Sequence, residues 1–239
     1  MIAFLSQVEA QMMQSNARPN RAQPPPAQPS EGSRRGARAL LLWGVLAGPF
    51  YLIVGVSQGL LREGFDFSRH PLSVLANGAF GWVQTANFVI TGAMVIAAAI
   101  GIGRALAPKS RALIFFLVAY GLCMIAAAVF RADPVDGFPV GTPVGPPTSI
   151  SMRGLLHFVA GGLAFLSLAI SCFCAIFSLR RHKLARLAWM SLAAGLAIIA
   201  GFFGGMFPQI GVLGIWFAVV VGWAWLALIS FSLRQRAQG

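Results

Sequence analysis

The sequence predicts an all-α integral membrane protein: a bundle of six transmembrane helices with both termini on the cytoplasmic side. Three observations predict it. Of 239 residues, 57% are hydrophobic and only 10% charged, with a mean hydropathy of +0.75, whereas a soluble surface needs about a quarter of its residues charged. Six apolar runs are each near the roughly 20 residues that cross about 30 Å of hydrocarbon. The cations concentrate in alternate connecting segments.

The chain divides into a disordered, Pro-rich cytoplasmic tail (1–38), a transmembrane domain (39–233) and a short cytoplasmic tail (234–239). Pro24-Pro25-Pro26-Ala27-Gln28-Pro29 has few backbone donors and favours an extended, solvated linker. The spans fall at about 39–61, 82–106, 112–130, 154–179, 187–207 and 214–233. Helices are nearly forced here, because lipid offers backbone N–H and C=O groups no partners. Gly204-Gly205-Met206-Phe207-Pro208 stops the fifth run by adding flexible and then donor-less residues.

Orientation follows from the distribution of Lys and Arg. The two tails and the second and fourth connections hold 14 of the 18, and only Arg62, Arg69, Arg131 and Arg153 lie on the other side. The positive-inside bias therefore places both termini in the cytoplasm of a cell-membrane protein. The formal charge of +12 is anchoring charge, so nucleic acid is excluded as a partner and membrane lipid is expected. Cys123, Cys172 and Cys174 all lie in apolar runs and form no disulfide framework. Cys172 and Cys174 sit about 200° apart on a helix and read as buried small residues.

Gly44-x-x-x-Gly48, Gly55-x-x-x-Gly59 and Gly201-x-x-x-Gly205 align small residues on one helix face. Such faces serve bundle packing, or a homo-oligomer formed through them. Asn87-Phe-Val-Ile-Thr-Gly92 resembles His157-Phe-Val-Ala-Gly-Gly162. This is read either as a parallel repeat of helices two-three and four-five or as recurrence of common apolar residues.

Polar chemistry concentrates on the outer side. The first outer connection contains Asp66, Ser68, Arg69, His70, Pro71 and Ser73. Ser68 or Ser73 suits an N-cap and Pro71 a first turn, so a short re-entrant or interfacial helix is expected there. Trp82 suits an interfacial anchor, and Gln84, Asn87 and Thr91 form a polar stripe that must face protein or water. Asp133 ends the third span and His157 opens the fourth. Asp66, Arg69, His70, Asp133 and His157 around one outward pocket would supply an acid/base pair, or His and Asp ligands for a metal. In the alternative reading, Arg69 with Asp66 and Arg131 with Asp133 are ion pairs holding loops down, and His157 bonds a neighbouring carbonyl. No metal or cofactor is assigned.

The run from Gly44 to Phe207 resembles the DUF998 family of bacterial multi-pass membrane proteins. The resemblance is carried by Trp43-Gly44-x-x-Ala47-Gly48-Pro49, Arg69-His70-Pro71-Leu72-Ser73, Gly81-Trp82-Val83-Gln84-x-Ala86-Asn87-Phe88, Phe130-x-x-Asp133-Pro134 and His157-x-x-Ala160-Gly161. A domain of unknown function, it implies fold and topology and no reaction. Ceramidase-type hydrolases have seven helices and a three-histidine zinc site, a ligand set this chain lacks.

The function expected is binding of a small or lipidic ligand in an outward-facing polar pocket, with Asp66, Arg69, His70, Ser73, Gln84, Asn87, Asp133 and His157 as candidate residues. Two alternatives remain: a membrane enzyme acting on lipid or peptide through His and Asp, and a transporter or accessory subunit. The serines near His70 form no nucleophile motif, and none of the spans carries an interior charge.

Overall fold

A computed structural model of the chain describes residue 7 and residues 31–106, 110–145, 147, 149–207 and 209–237. Six helices dominate these residues: α1 (Glu31–Leu61), α2 (Gly81–Ala105), α3 (Arg111–Val129), α4 (Met152–Arg181), α5 (Ala185–Gly204) and α6 (Val212–Arg236). The shortest has 19 residues and rises about 28 Å. All six are long and apolar enough to cross a membrane. Large side chains such as Phe115 and Phe177 face outward, as lipid-facing positions require. The Pro-rich part of the expected tail lies outside the described residues.

The boundaries agree with the apolar runs to within about three residues, with one exception. Residues 31–38, expected in the tail, are helical in α1. Glu31 sits in the first turn and pairs with Arg35 one turn on, and a carboxylate at a helix N-terminus favours the macrodipole.

Each helix packs antiparallel against the next, and α6 returns to α1, so the six close into a ring. Glycines set the close approaches. A Cβ on Gly92 would meet the carbonyl of Gly121 at 2.6 Å, and one on Gly201 that of Gly214 at 2.7 Å. The three small-residue pairs are used within the chain: Gly44 and Gly48 pack on α6, Gly55 and Gly59 on the 62–80 connection, Gly201 and Gly205 on α6. Gly48 matters most for the interior, because a side chain there would meet Trp223 at 2.6 Å. Its absence lets the indole lie inside the ring, where it is 4% exposed.

The helix ends opposite the start of α1 and the finish of α6 carry the two long connections. Between α1 and α2 the expected short helix is a 3₁₀ turn, Leu72–Ala76, with Leu72, Val74, Leu75 and Ala76 buried. Neither Ser68 nor Ser73 caps it; its N-cap is Pro71, without a side-chain bond. Arg62 holds its other end, donating to the carbonyls of Leu75 (2.5 Å) and Asn77 (2.6 Å) with its guanidinium over the Phe138 ring. A cation is the fitting partner for carbonyls left over at a helix C-terminus. In the 130–151 connection, Val135 and Phe138 exchange both backbone bonds across Asp136-Gly137. Both central residues have positive φ, 49° and 89°, the conformation that an Asp-Gly hairpin turn supplies.

Candidate functional site

A cavity of about 120 Å³ lies toward the end of the ring that carries the long connections, lined from α1, α2, α3, α4, α6 and the 3₁₀ turn. Aromatic stacking positions its wall: Tyr51 and Tyr120 each contact Trp223, at centroid separations of 5.4 and 5.8 Å, and Tyr51 contacts Phe88 at 5.8 Å. These are tilted pairs of the kind aromatic quadrupoles favour. Pro71, Leu72 and Ser73 of the 3₁₀ turn contribute the side facing the connections. No Asp, Glu, Lys or Arg is among the lining residues.

His157 is the one imidazole in that wall. It is 8% exposed and directs Nδ1 at the carbonyls of Phe130 (2.8 Å) and Ala127 (3.3 Å), which end α3. Carbonyls only accept, so Nδ1 carries a proton, and in the neutral imidazole that a largely apolar wall favours Nε2 keeps its lone pair. Nε2 makes no hydrogen bond among the described residues. The largely apolar wall thus includes an imidazole nitrogen free to accept a hydrogen bond.

The first-connection residues form a separate clasp. His70, fully buried, accepts the backbone N–H of Asp66 at Nδ1 (2.9 Å), so its Nε2–H is the donor to the Asp136 carbonyl at 3.0 Å. Phe65 and Phe138 pack on the imidazole at 5.4 and 5.6 Å. Arg69 grips both carboxylate oxygens of Asp136, with Nε–Oδ2 at 2.8 Å, the bidentate geometry that suits guanidinium to carboxylate. The Arg69 guanidinium and then the Gly145 N–H hold the Asp136 carboxyl down to about 2. Asp66 instead accepts the hydroxyl and N–H of Ser68, which hold its carboxyl below the usual range. Arg69 is therefore paired across the two connections with Asp136 and not locally with Asp66.

Asp133 is engaged at the start of α4. Its oxygens take the Ser151 N–H (2.9 Å) and hydroxyl (2.5 Å), while Ser151 Oγ accepts from the Gly154 N–H at 3.0 Å. This satisfies N-terminal donors of α4 and places a carboxylate at the positive end of its dipole. Gln84 and Asn87 are buried between α1 and α2. Gln84 Oε1 accepts from Gln58 (2.9 Å) and Asn87 (3.2 Å), and Asn87 also donates to the Tyr51 carbonyl at 3.1 Å and accepts from Thr91 at 3.2 Å.

Residues 45–234 match the model of a family described as a protein of unknown function, DUF998. The chain belongs to the DUF998 family. No curated protein and no solved structure matches it.

The candidates of this DUF998 chain thus fall into four places. His157 and Ser73 line the cavity. Asp66, Arg69 and His70 join the clasp with Asp136, Asp133 joins Ser151, and Gln84 and Asn87 form an interhelical network. Among the described residues, no group of three or more His, Cys, Asp or Glu is placed to hold a metal. Sequence reasoning missed Asp136, Tyr51, Tyr120, Trp216 and Trp223. The chain has only two tyrosines and both lie within spans rather than in the interfacial belt where tyrosine concentrates; that was the available signal.

Proposed function

We propose that this DUF998 protein is a membrane binding protein that takes a small lipidic ligand into the cavity inside its helix ring. The observation that carries this reading is an apolar, aromatic-walled cavity in whose lining His157 Nε2 has no hydrogen-bond partner among the described residues. A cavity of this order holds about six carbons, which gain contact when they fill it, and its partly open side lets a longer chain extend beyond it. The charge asymmetry supports an opening on the non-cytoplasmic side.

The polar residues of the connections support the site from outside. The clasp ties the two connections together over the 3₁₀ turn that contributes Pro71, Leu72 and Ser73 to the wall. A cavity with few, well-placed polar groups on rigid elements is what small-ligand sites generally require.

Gly161→Leu is the test. Gly161 lines the cavity, and a Cβ there would meet nothing within 4 Å, so the larger side chain enters open space. In nanodiscs the wild type is stabilised by octyl amphiphiles, and Gly161→Leu loses that stabilisation while its own melting temperature is unchanged or raised. Equal stabilisation of both proteins would overturn the proposal.

A further inference from the structure

The cavity's polar groups specify more than a hydrophobic guest, and the inference rests on the binding reading above. His157 offers a lone pair and no proton to the cavity, since its Nδ1–H is committed to the α3 carbonyls. The ring is held in that tautomer by geometry: an Nδ1 without its proton would face two carbonyl oxygens. A ligand that meets Nε2 must therefore bring a hydrogen-bond donor.

Two other groups of the lining ask for the converse. Trp216, which lines the cavity, has a buried indole N–H without an acceptor. Tyr120, also in the lining, makes no hydrogen bond through its hydroxyl among the described residues. A ligand group that donates to His157 and accepts from one of these is amphoteric, as a hydroxyl is.

Charge narrows the class further. With no Lys or Arg in the lining, a carboxylate or phosphate would enter without a counter-charge, at a desolvation cost that one neutral imidazole does not offset. An ammonium would likewise find no carboxylate. We infer that the cavity selects a neutral, hydroxyl-bearing single-chain amphiphile, its hydroxyl donating to His157 Nε2 and its hydrocarbon lying against Tyr51, Phe88 and Trp223.

Trp216 and Trp223 make the test optical, because bromine in the cavity quenches indole fluorescence. Full-length protein in nanodiscs is titrated with terminally brominated octanol, octanoate and octane at matched membrane mole fractions, and Gly161→Leu serves as the background for tryptophans that face lipid. Bromo-octanol should reach half-quenching at roughly five- to tenfold lower mole fraction than bromo-octane, the worth of one buried hydrogen bond, and bromo-octanoate should be no better than bromo-octane. His157→Asn keeps an amide N–H for the Phe130 carbonyl but nothing at the Nε2 position, so the advantage of the alcohol over bromo-octane within that variant should vanish. His157→Gln carries an oxygen out to that position and should restore it.

Equal quenching by alcohol and alkane in the wild type overturns the ligand class and leaves the cavity reading standing. Stronger quenching by the octanoate overturns it as well. Absence of cavity quenching by all three overturns both. These wild-type comparisons decide the matter even where a substitution at position 157 fails to fold.

Discussion

His70 joins Asp136 across 66 positions of sequence, giving its Nε2–H to the backbone carbonyl at 3.0 Å while Nδ1 accepts the Asp66 N–H. Both ring nitrogens are therefore engaged with backbone, and the imidazole acts as a pin between the two long connections. His70→Phe keeps a ring among Phe65 and Phe138 but loses both bonds. The loss of about 1–3 kcal/mol from a buried, doubly bonded group should raise local opening roughly ten- to a hundredfold. Trypsin cleavage after Arg69 and Arg131 should accelerate accordingly, with the helices still resistant; unchanged cleavage would show that the pin is dispensable.

The Arg69–Asp136 pair gives the clasp an acid limit. The Asp136 carboxyl is depressed from 3.8 to about 2, first by Arg69 and then by the Gly145 N–H. A carboxyl whose folded-state value is lowered contributes its stabilisation above its unfolded value, near 4, and loses it as pH falls through the folded value. Protection from hydrogen exchange in the 130–151 connection, taken relative to the intrinsic rate at each pH, should thus be full at pH 5 and fall between about pH 4 and 2. Asp136→Asn should exchange faster already at pH 5 and lose most of that acid dependence. A wild-type profile flat down to pH 2 would contradict this.

Asp133 and Ser151 should matter for stability and not for ligand. Losing an N-cap costs about 1 kcal/mol, so Ser151→Ala and Asp133→Ala should each lower the melting temperature modestly. Cavity quenching by bromo-octanol should be unchanged in both. A change of affinity with unchanged stability would return Asp133 to the binding site.

The α2–α3 crossing tolerates no side chain at Gly121, where a Cβ would meet the Gly92 carbonyl at 2.7 Å. Backbone cannot swing aside as a side chain can. Gly121→Ala should therefore destabilise by about 1–3 kcal/mol through helix separation, despite alanine's better helix propensity. An unfolding measurement showing a gain in stability would refute the close approach.

Asn87 makes three side-chain bonds within the α1–α2 network. Interhelical hydrogen bonds in membranes average about 0.6 kcal/mol, so Asn87→Leu should cost about 1–2 kcal/mol. The double substitution with Gln84→Leu should cost less than the sum of the two singles, as expected for shared partners. Strict additivity in thermal unfolding would deny that they form one network.

Much of the architecture was legible because lipid leaves few choices. A run of about 20 apolar residues must satisfy its own backbone, which makes it helical whatever its neighbours are. Local composition therefore located all six spans, and Gly204-Gly205 located the end of α5. The start of α1 was not legible, since residues 31–38 are mostly polar and their helix continues an apolar one rather than following from hydropathy.

The site was legible only in its parts. His157 and Ser73 were named as candidates, but their shared wall is made by Tyr51, Tyr120, Trp216 and Trp223 from three other helices, which no local pattern connects. The pairing of Arg69 with Asp136 was hidden for a similar reason. Asp66 lies three positions from Arg69, yet its carboxylate is taken by Ser68, while the Asp136-Gly137 turn brings a distant carboxylate within reach. By itself the sequence determined which segments are helical, because hydropathy and backbone satisfaction are properties of short stretches. The tertiary structure alone decided which polar groups are engaged with one another and which remains open to a cavity, because partner choice depends on ring closure and on the few ångströms that Gly48, Gly92 and Gly121 concede between backbones.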